Sequence, residues 1–123
     1  MKNVLIVEDS KAIRSMIRVS LEEAGGFFAV EAGNGFEALK TLPTRRFDLI
    51  ITDINMPDIN GLELIGFVKS NPEYKEIPLV IVSTEKSDED KKRGMALGAS
   101  GYVVKPFTKT DLMSMVKNVL EGR

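Results

Sequence analysis

The sequence contains no cysteine and no histidine, and these two absences exclude several kinds of site. Without cysteine there is no disulfide framework, no thiolate zinc site and no cysteine nucleophile. Without histidine there is no Ser-His-Asp triad, no imidazole metal ligand and no phosphohistidine on this chain. Any chemistry must therefore use carboxylates, hydroxyls or lysines. A cysteine-free chain suits a reducing compartment, so the sequence predicts a cytoplasmic protein.

The sequence also lacks long apolar runs and a strong net charge. Its longest apolar stretches span four or five residues, whereas a membrane-spanning helix needs about 20. The 17 basic and 18 acidic residues leave a net charge of −1, which argues against a broad surface for nucleic acid. We therefore expect no signal peptide, no membrane span and no direct contact with nucleic acid.

The length of 123 residues and the 43% apolar composition predict one domain over residues 1–123. Short apolar runs alternate with helical patterns, and such runs are typical of strands that are covered on both faces. They predict five strands, at residues 4–7, 27–31, 47–52, 78–82 and 101–104. With a helix after each strand, the fold class is α/β, a doubly wound (βα)₅ domain with a five-stranded parallel sheet.

The helix boundaries follow from capping residues and helix breakers. The second helix is predicted over residues 35–42, where Pro43 ends it, and the third begins near Asn60-Gly61. Ser87 is a predicted N-cap for the fourth helix, and Thr108 with Asp111 forms a predicted capping arrangement for the last.

Reactive side chains follow four of the five predicted strands. Glu8-Asp9 follow the first strand, Asp53 the third, Ser83 the fourth and Lys105 the fifth. Open parallel sheets bind ligands outside the carboxyl ends of their strands, so we expect these groups to converge. Crowded carboxylates repel one another unless a cation neutralises them. Two or three carboxylates with oxygen ligation suit Mg²⁺, which keeps several waters and shares its shell with phosphate.

A carboxylate beside such an ion can act as a nucleophile toward a phosphoryl group, and a lysine can stabilise the phosphoryl oxygens. Asp53 is the predicted nucleophile because it ends the central apolar strand beside the switch point. Taken singly, each of these side chains is more often a helix cap or a turn residue. Their coincidence at one edge of the sheet favours the functional interpretation.

Five separated elements of the sequence occur in order at the predicted strand ends: Glu8-Asp9, Asp53, Met56-Pro57 with Gly61, Ser83, and Lys105-Pro106-Phe107. Together they resemble the signature of response-regulator receiver domains of two-component signalling. The resemblance spans essentially the whole chain, and residues 98–108 are most similar to CheY-like, chemotaxis-type receivers. It implies a flavodoxin-like sheet with strand order 2-1-3-4-5.

The resemblance also implies a role for each residue at the predicted site. Asp53 would be the phosphoacceptor, Asp9 a direct Mg²⁺ ligand, and Glu8 a ligand acting through water. The main-chain carbonyl of Asn55 would be the last Mg²⁺ ligand that the protein supplies. Lys105 would pair with the phosphoryl group.

Three further residues take regulatory roles by the same resemblance. Ser83 would hydrogen-bond to the phosphoryl group and move inward on phosphorylation, and the switch aromatic Tyr102 would follow that shift. Asn55 and Glu85 occupy the positions that tune hydrolysis of the phosphoaspartate.

The resemblance implies a signalling switch rather than a dedicated enzyme, although such a domain catalyses its own phosphotransfer and autodephosphorylation. The phosphoryl donor would be a histidine kinase or phosphotransfer domain. A downstream protein target would bind through the fourth helix, fifth strand and fifth helix. We expect a stand-alone, monomeric regulator of the chemotaxis type.

Three alternatives compete with this interpretation. The chain could be a receiver cut from a longer regulator. A Mg²⁺-dependent phosphatase of the haloacid-dehalogenase type also uses an aspartate at a strand end, but it needs a second Asp two residues later, where this chain has Asn55. A nucleotide-binding module is weaker still, because the sequence has neither a Gly-Lys dipeptide nor G-x-G-x-x-G.

Overall fold

The computed structural model describes residues 1–84 and 88–122. Strands and helices alternate along the chain: β1 Lys2–Val7, α1 Lys11–Ala24, β2 Phe27–Ala32, α2 Gly35–Thr41, β3 Leu49–Thr52, α3 Gly61–Ser70, β4 Leu79–Ser83, α4 Asp88–Leu97, β5 Gly101–Val104 and α5 Lys109–Glu121. The strands are parallel in the order β2-β1-β3-β4-β5, which confirms the predicted doubly wound, flavodoxin-like fold. None of the described helices has the length and apolar character needed to cross a membrane.

Several element boundaries differ from the sequence prediction by one or two residues: β1 begins at Lys2, β2 ends at Ala32 and β4 ends at Ser83. The side chain of Asp48 accepts the Asn3 N–H at 2.7 Å, so the pairing of β1 with β3 starts only at Leu49. Pro78 has no N–H for a ladder and precedes β4, although its carbonyl accepts the Ile50 N–H at 3.0 Å. Helix α2 ends at Thr41, one residue before the predicted end.

Pro43 lies in a short 3₁₀ turn, Leu42–Thr44, that follows α2 directly. The α-helix therefore ends before Pro43, as predicted, but one residue earlier and with the 3₁₀ turn directly after it. Proline is tolerated in the first turn of a helical segment, because the N–H it lacks has no partner there. The predicted N-cap Ser87 lies outside the described residues, whereas the predicted capping box of Thr108 and Asp111 is present at α5.

The sheet carries one buried apolar cluster on each face. In β1, Val4 and Ile6 pack with residues of α1 and α5, whereas Leu5 and Val7 pack with residues of α2 and α3. All four side chains are fully buried. Because both faces of the central strands are covered, each strand appears in the sequence as a continuous apolar run rather than as an alternating one.

An ionic network joins α1 to the edge strand β2. Arg14 Nε donates to Glu31 Oε1 at 2.7 Å, and Arg18, one helical turn later, donates to Glu31 Oε2. Arg18 also donates to Glu22 at 3.2 Å. Partial burial opposes ionisation of Glu31, but the hydrogen bonds from the two guanidinium groups outweigh it and hold the pKa below its ordinary value of 4.5.

Glu31→Gln should lower the free energy of unfolding at neutral pH by about 1 kcal/mol. Because the folded-state pKa is depressed, the contribution of Glu31 is fully present above the unfolded pKa and is lost as pH falls through the folded pKa. Urea unfolding from about pH 7 to about pH 3 should therefore show the two proteins converging in acid.

Glu23→Gln is the matched control. Glu23 pairs with Lys109 at 2.6 Å, but the two side chains are 58% and 49% exposed. Its replacement should change stability by about 0.3 kcal/mol or less. A stability loss in Glu31→Gln that stays constant across the acid range would contradict the assignment.

Candidate functional site

The ladder of the sheet continues one residue past three strand ends, and this extension positions the charged side chains. Glu8, Asp53 and Lys105 each donate their N–H to a carbonyl of a neighbouring strand, at 3.1, 3.0 and 2.8 Å. Side chains alternate along a strand. The three residues therefore continue the sheet face that packs against α1 and α5.

A lysine and three acids meet at this edge. Lys105 Nζ lies 2.7 Å from Glu8 Oε1 and 3.6 Å from Asp53 Oδ2. Glu8, Asp53 and Lys105 are only 1%, 5% and 9% exposed, whereas Asp9 is exposed. Carboxylate oxygens of Glu8, Asp9 and Asp53 lie within 4.8 Å of one another, and we call these three residues the carboxylate cluster.

Backbone amides hold the two buried carboxylates. Glu8 Oε2 accepts the Ser10 N–H at 3.0 Å, and Asp53 Oδ1 accepts the Ile54 N–H at 2.8 Å. Ser10 is also the N-cap of α1, where its hydroxyl accepts the Ile13 N–H at 3.3 Å. The turn from β1 into α1 therefore orients Glu8 while it starts the helix.

Burial raises the pKa of both Glu8 and Asp53, because the charged forms lose contact with water. The ammonium of Lys105 lowers the pKa of both carboxyls and so opposes the effect of burial. The negative charge of Asp53 raises the pKa of Glu8 further. A further positive charge would therefore stabilise the ionised cluster. Its donors are all oxygen atoms, the ligands that a hard cation such as Mg²⁺ prefers.

The loop from β3 to α3 folds back against Asp53. Gly61 donates its N–H to the Ile54 carbonyl at 2.8 Å. A Cβ at Gly61 would overlap the carbonyl oxygen of Asp53 and lie 2.7 Å from Ile54 Cα. Asn60 and Glu63 form a capping box that starts α3 at this point. Only glycine permits so close an approach of the two backbone segments.

The other predicted site residues that the structure describes have different surroundings. Ser83 is fully buried at the end of β4, and its carbonyl accepts the Lys105 N–H. Tyr102 is half-buried on the opposite face of β5, and Lys91 Nζ lies 5.8 Å from its ring centroid. Asn55 is exposed in the loop after Asp53. The peptide bond between Lys105 and Pro106 is cis.

Glu85, predicted to tune hydrolysis, lies outside the described residues. Two residues near the cluster escaped the sequence prediction. Arg14 Nη1 donates to the main-chain carbonyl of Glu8 at 2.8 Å, and the buried Thr52 hydroxyl donates to the Asp53 carbonyl at 3.0 Å. Two arginines one turn apart on α1 were a visible signal, but their acceptors become apparent only in the folded chain.

Comparison with known proteins assigns the chain to a family. Residues 4–117 match the response regulator receiver domain. The chain belongs to this family. The receiver domain is 36% identical over 118 residues to the chemotaxis protein CheY1 of Helicobacter pylori, and the match covers 95% of both chains.

Two further matches show the range of related proteins. The phosphate regulon transcriptional regulatory protein PhoB of Rhizobium meliloti is 36% identical over 117 residues, which cover 95% of this receiver domain and 51% of PhoB. The solved structure of the chemotaxis response regulator CheY4 of Vibrio cholerae gives a TM-score of 0.91 at 41% identity, covering 98% of this receiver domain and 99% of CheY4. The receiver fold and the CheY-like resemblance are both confirmed.

Two glycines of α3 provide a matched pair of substitutions. Gly61→Ala should destabilise the fold by about 1–3 kcal/mol, because the methyl group forces the Asp53 loop away. At Gly66 an added Cβ meets no described atom within 4 Å apart from its chain neighbours and the backbone of its own helix. Gly66→Ala should therefore stabilise α3 by about 0.5–1 kcal/mol. Urea unfolding of both variants measures the effects, and shifts of the same sign would contradict this account.

Proposed function

We propose that this receiver domain is a phosphorylation-activated signalling switch whose phosphoacceptor is Asp53. The observation that carries the proposal is the convergence of Glu8, Asp9, Asp53 and Lys105 at the carboxyl edge of the sheet. The chain has no histidine. A phosphohistidine donor therefore lies outside these 123 residues, and we propose that it belongs to a histidine kinase or phosphotransfer domain.

The carboxylate cluster fits Mg²⁺. Glu8, Asp9 and Asp53 would hold it, with the main-chain carbonyl of Asn55 as the proposed fourth protein ligand. Bound Mg²⁺ would supply positive charge to the oxygens of the transferred phosphoryl group. The exposed Asp9 leaves one side of the cluster open to solvent, which suits an ion that keeps waters and shares phosphate oxygens.

The two oxygens of Asp53 have different surroundings. Oδ1 accepts the Ile54 N–H, whereas Oδ2 lies on the side of Lys105, and we propose Oδ2 as the nucleophile. A bond forms between Oδ2 and phosphorus as the nitrogen–phosphorus bond of the donor breaks, and the released imidazole takes up a proton. Lys105 stabilises the phosphoryl oxygens. Water later hydrolyses the phosphoaspartate, at a rate that Asn55 and Glu85 tune.

The output surface that we propose consists of α4, β5 and α5. Met95 of α4 and Val104 of β5 are 40% and 42% exposed, and Tyr102 of β5 is half-buried. Ser83 ends β4 and Lys105 directly follows β5, so their proposed contacts with a phosphoryl group would shift the populations of conformers there. Ser83 and Tyr102 are the proposed switch residues, and a downstream protein target is the proposed occupant.

We propose that the domain works as a monomeric, cytoplasmic regulator of the chemotaxis type. The CheY1 match over 95% of both chains supports this assignment. A receiver within a longer regulator has its parallel in PhoB, of which the match covers 51%. The reading frame on either side of these residues in the gene distinguishes the two arrangements.

Asp53→Asn should abolish labelling by a small-molecule phosphodonor such as acetyl phosphate. The amide preserves the shape of the side chain but removes the nucleophile. Intact mass should show one added phosphoryl group on the wild type with Mg²⁺ and none after chelation. Asp58→Asn is the control, because Asp58 is exposed in the same loop with φ 65°, a conformation that asparagine tolerates. Wild-type labelling of Asp53→Asn would falsify the assignment.

Lys105→Ala should still be phosphorylated but should lose the conformational response. Asp53 supplies the nucleophile, whereas Lys105 connects the phosphoryl group to β5. In the wild type, phosphorylation should change hydrogen exchange around Tyr102 and the start of α5 and leave residues 28–42 unchanged. Lys86, which we also expect to respond, lies outside the described residues.

Lys109→Ala is the matched control for Lys105→Ala. It also removes one ammonium near the start of α5, but from an exposed pair with Glu23. It should respond to phosphorylation as the wild type does. A full wild-type exchange pattern in phosphorylated Lys105→Ala would contradict the proposed coupling.

A further inference from the structure

One guanidinium group connects the edge strand β2 to the turn that carries two members of the carboxylate cluster. Arg14 Nε pairs with Glu31 of β2 at 2.7 Å, and Arg14 Nη1 donates to the carbonyl of Glu8 at 2.8 Å. The side chain is only 17% exposed. Because a guanidinium is planar, a contact through Nε restricts the direction in which Nη1 points.

The acceptor on Glu8 is the oxygen of the peptide group that leads into Asp9. The orientation of this peptide group sets the direction in which the Cα–Cβ bond of Asp9 leaves the backbone. The Asp9 side chain itself is exposed. Its placement within 4.8 Å of the other two carboxylates therefore depends strongly on the backbone of the turn. The guanidinium that donates to this carbonyl is charged, so the hydrogen bond is stronger than one between two neutral groups.

Arg14 is in turn held in place from two sides. Glu31 is anchored by a second arginine, Arg18, so that its carboxylate cannot rotate freely around Arg14. A Cβ at Gly33, just after β2, would lie 3.4 Å from Arg14 Nη1, so that the chain passes close to the guanidinium here. Strand β2 therefore acts as a rigid support for the turn between β1 and α1.

We propose that Arg14 is a positioning residue that orients the Glu8-Asp9 peptide group for cation binding by the carboxylate cluster. This inference rests on the proposed function, in which the cluster holds Mg²⁺. Arg14 touches neither the phosphoacceptor nor the transferred group. Its loss should therefore weaken Mg²⁺ binding while leaving the phosphorylation rate at saturating Mg²⁺ close to that of the wild type.

Arg18 provides a matched control on the same helix. Arg18 contacts the same Glu31 carboxylate and also Glu22, and within the part of the chain that the structure describes it donates no hydrogen bond to Glu8. Arg18→Met removes one positive charge and one bond to Glu31, as Arg14→Met does. Only Arg14→Met also removes the hydrogen bond to the Glu8 carbonyl. The difference in Mg²⁺ affinity between the two variants therefore separates the positioning role of Arg14 from the general loss of an ion pair.

The test is calorimetric titration of each apo protein with Mg²⁺ alone, without phosphodonor. Arg14→Met should bind Mg²⁺ about tenfold more weakly, an effect typical of residues that orient metal ligands. Arg18→Met should stay within about twofold of the wild type. In Arg14→Met the backbone amide resonances of Asp9 and Ser10 should move before any Mg²⁺ is added. Labelling at increasing Mg²⁺ should show a raised half-saturation concentration with a near-normal plateau.

Arg14→Lys and Arg18→Lys keep the charge and test the geometry of the guanidinium. Lysine offers one donor group in place of the fork, so Arg14→Lys should bind Mg²⁺ with an affinity between those of Arg14→Met and the wild type. Arg18→Lys should bind as the wild type does. This pair carries the test if thermal unfolding shows that Arg14→Met is not folded.

The outcomes separate this inference from the proposed function. A wild type that binds no Mg²⁺ overturns both the cation site and the role of Arg14. A wild type that binds Mg²⁺, with Arg14→Met and Arg18→Met weakened equally or Arg14→Met unchanged, overturns only the role of Arg14. Tighter binding by Arg14→Met would show that the arginine repels the cation, which also contradicts the inference.

Discussion

Glu8 and Asp53 sit side by side almost out of water, and ionising both there costs solvation free energy that the rest of the edge must offset. Lys105 follows β5 and supplies the neutralising charge, and its ammonium extends past the end of β4 to contact Asp53 after β3 and Glu8 after β1. Backbone amides at Ser10 and Ile54 supply the hydrogen bonds. These charged side chains are held in place by the strand ends, by the start of α1 and by the close approach of Gly61 to Asp53.

The parallel sheet that brings these charges to one edge also explains how much of the fold and of the site could be predicted from the sequence. Continuous apolar runs identified the strands because both faces of the sheet are covered, and residues just past those runs lie at a common edge in any parallel sheet. Asp53 and Lys105 could therefore be placed together without coordinates. The exact start of β3 could not, because it depends on the contact of the Asp48 side chain with Asn3, which are far apart in the sequence.

The contacts of Arg14 and Gly61 were beyond prediction for a different reason. Both involve main-chain oxygens, those of Glu8 and Asp53, and every residue carries such an oxygen. No residue type marks an acceptor of this kind. The sequence reveals the side chains that bear chemistry more readily than the backbone groups that hold them in place.

The attachment of α4 has a consequence for how such domains diversify. In α4, whose whole length the structure describes, Gly94 is the one buried residue, packed closely against Ile81 of β4. Nine of its ten positions therefore contribute little to the core. Substitutions at the exposed positions of α4 should therefore cost little folding stability, so the surface of this helix can be remodelled for a new partner without rebuilding the edge that carries the charges.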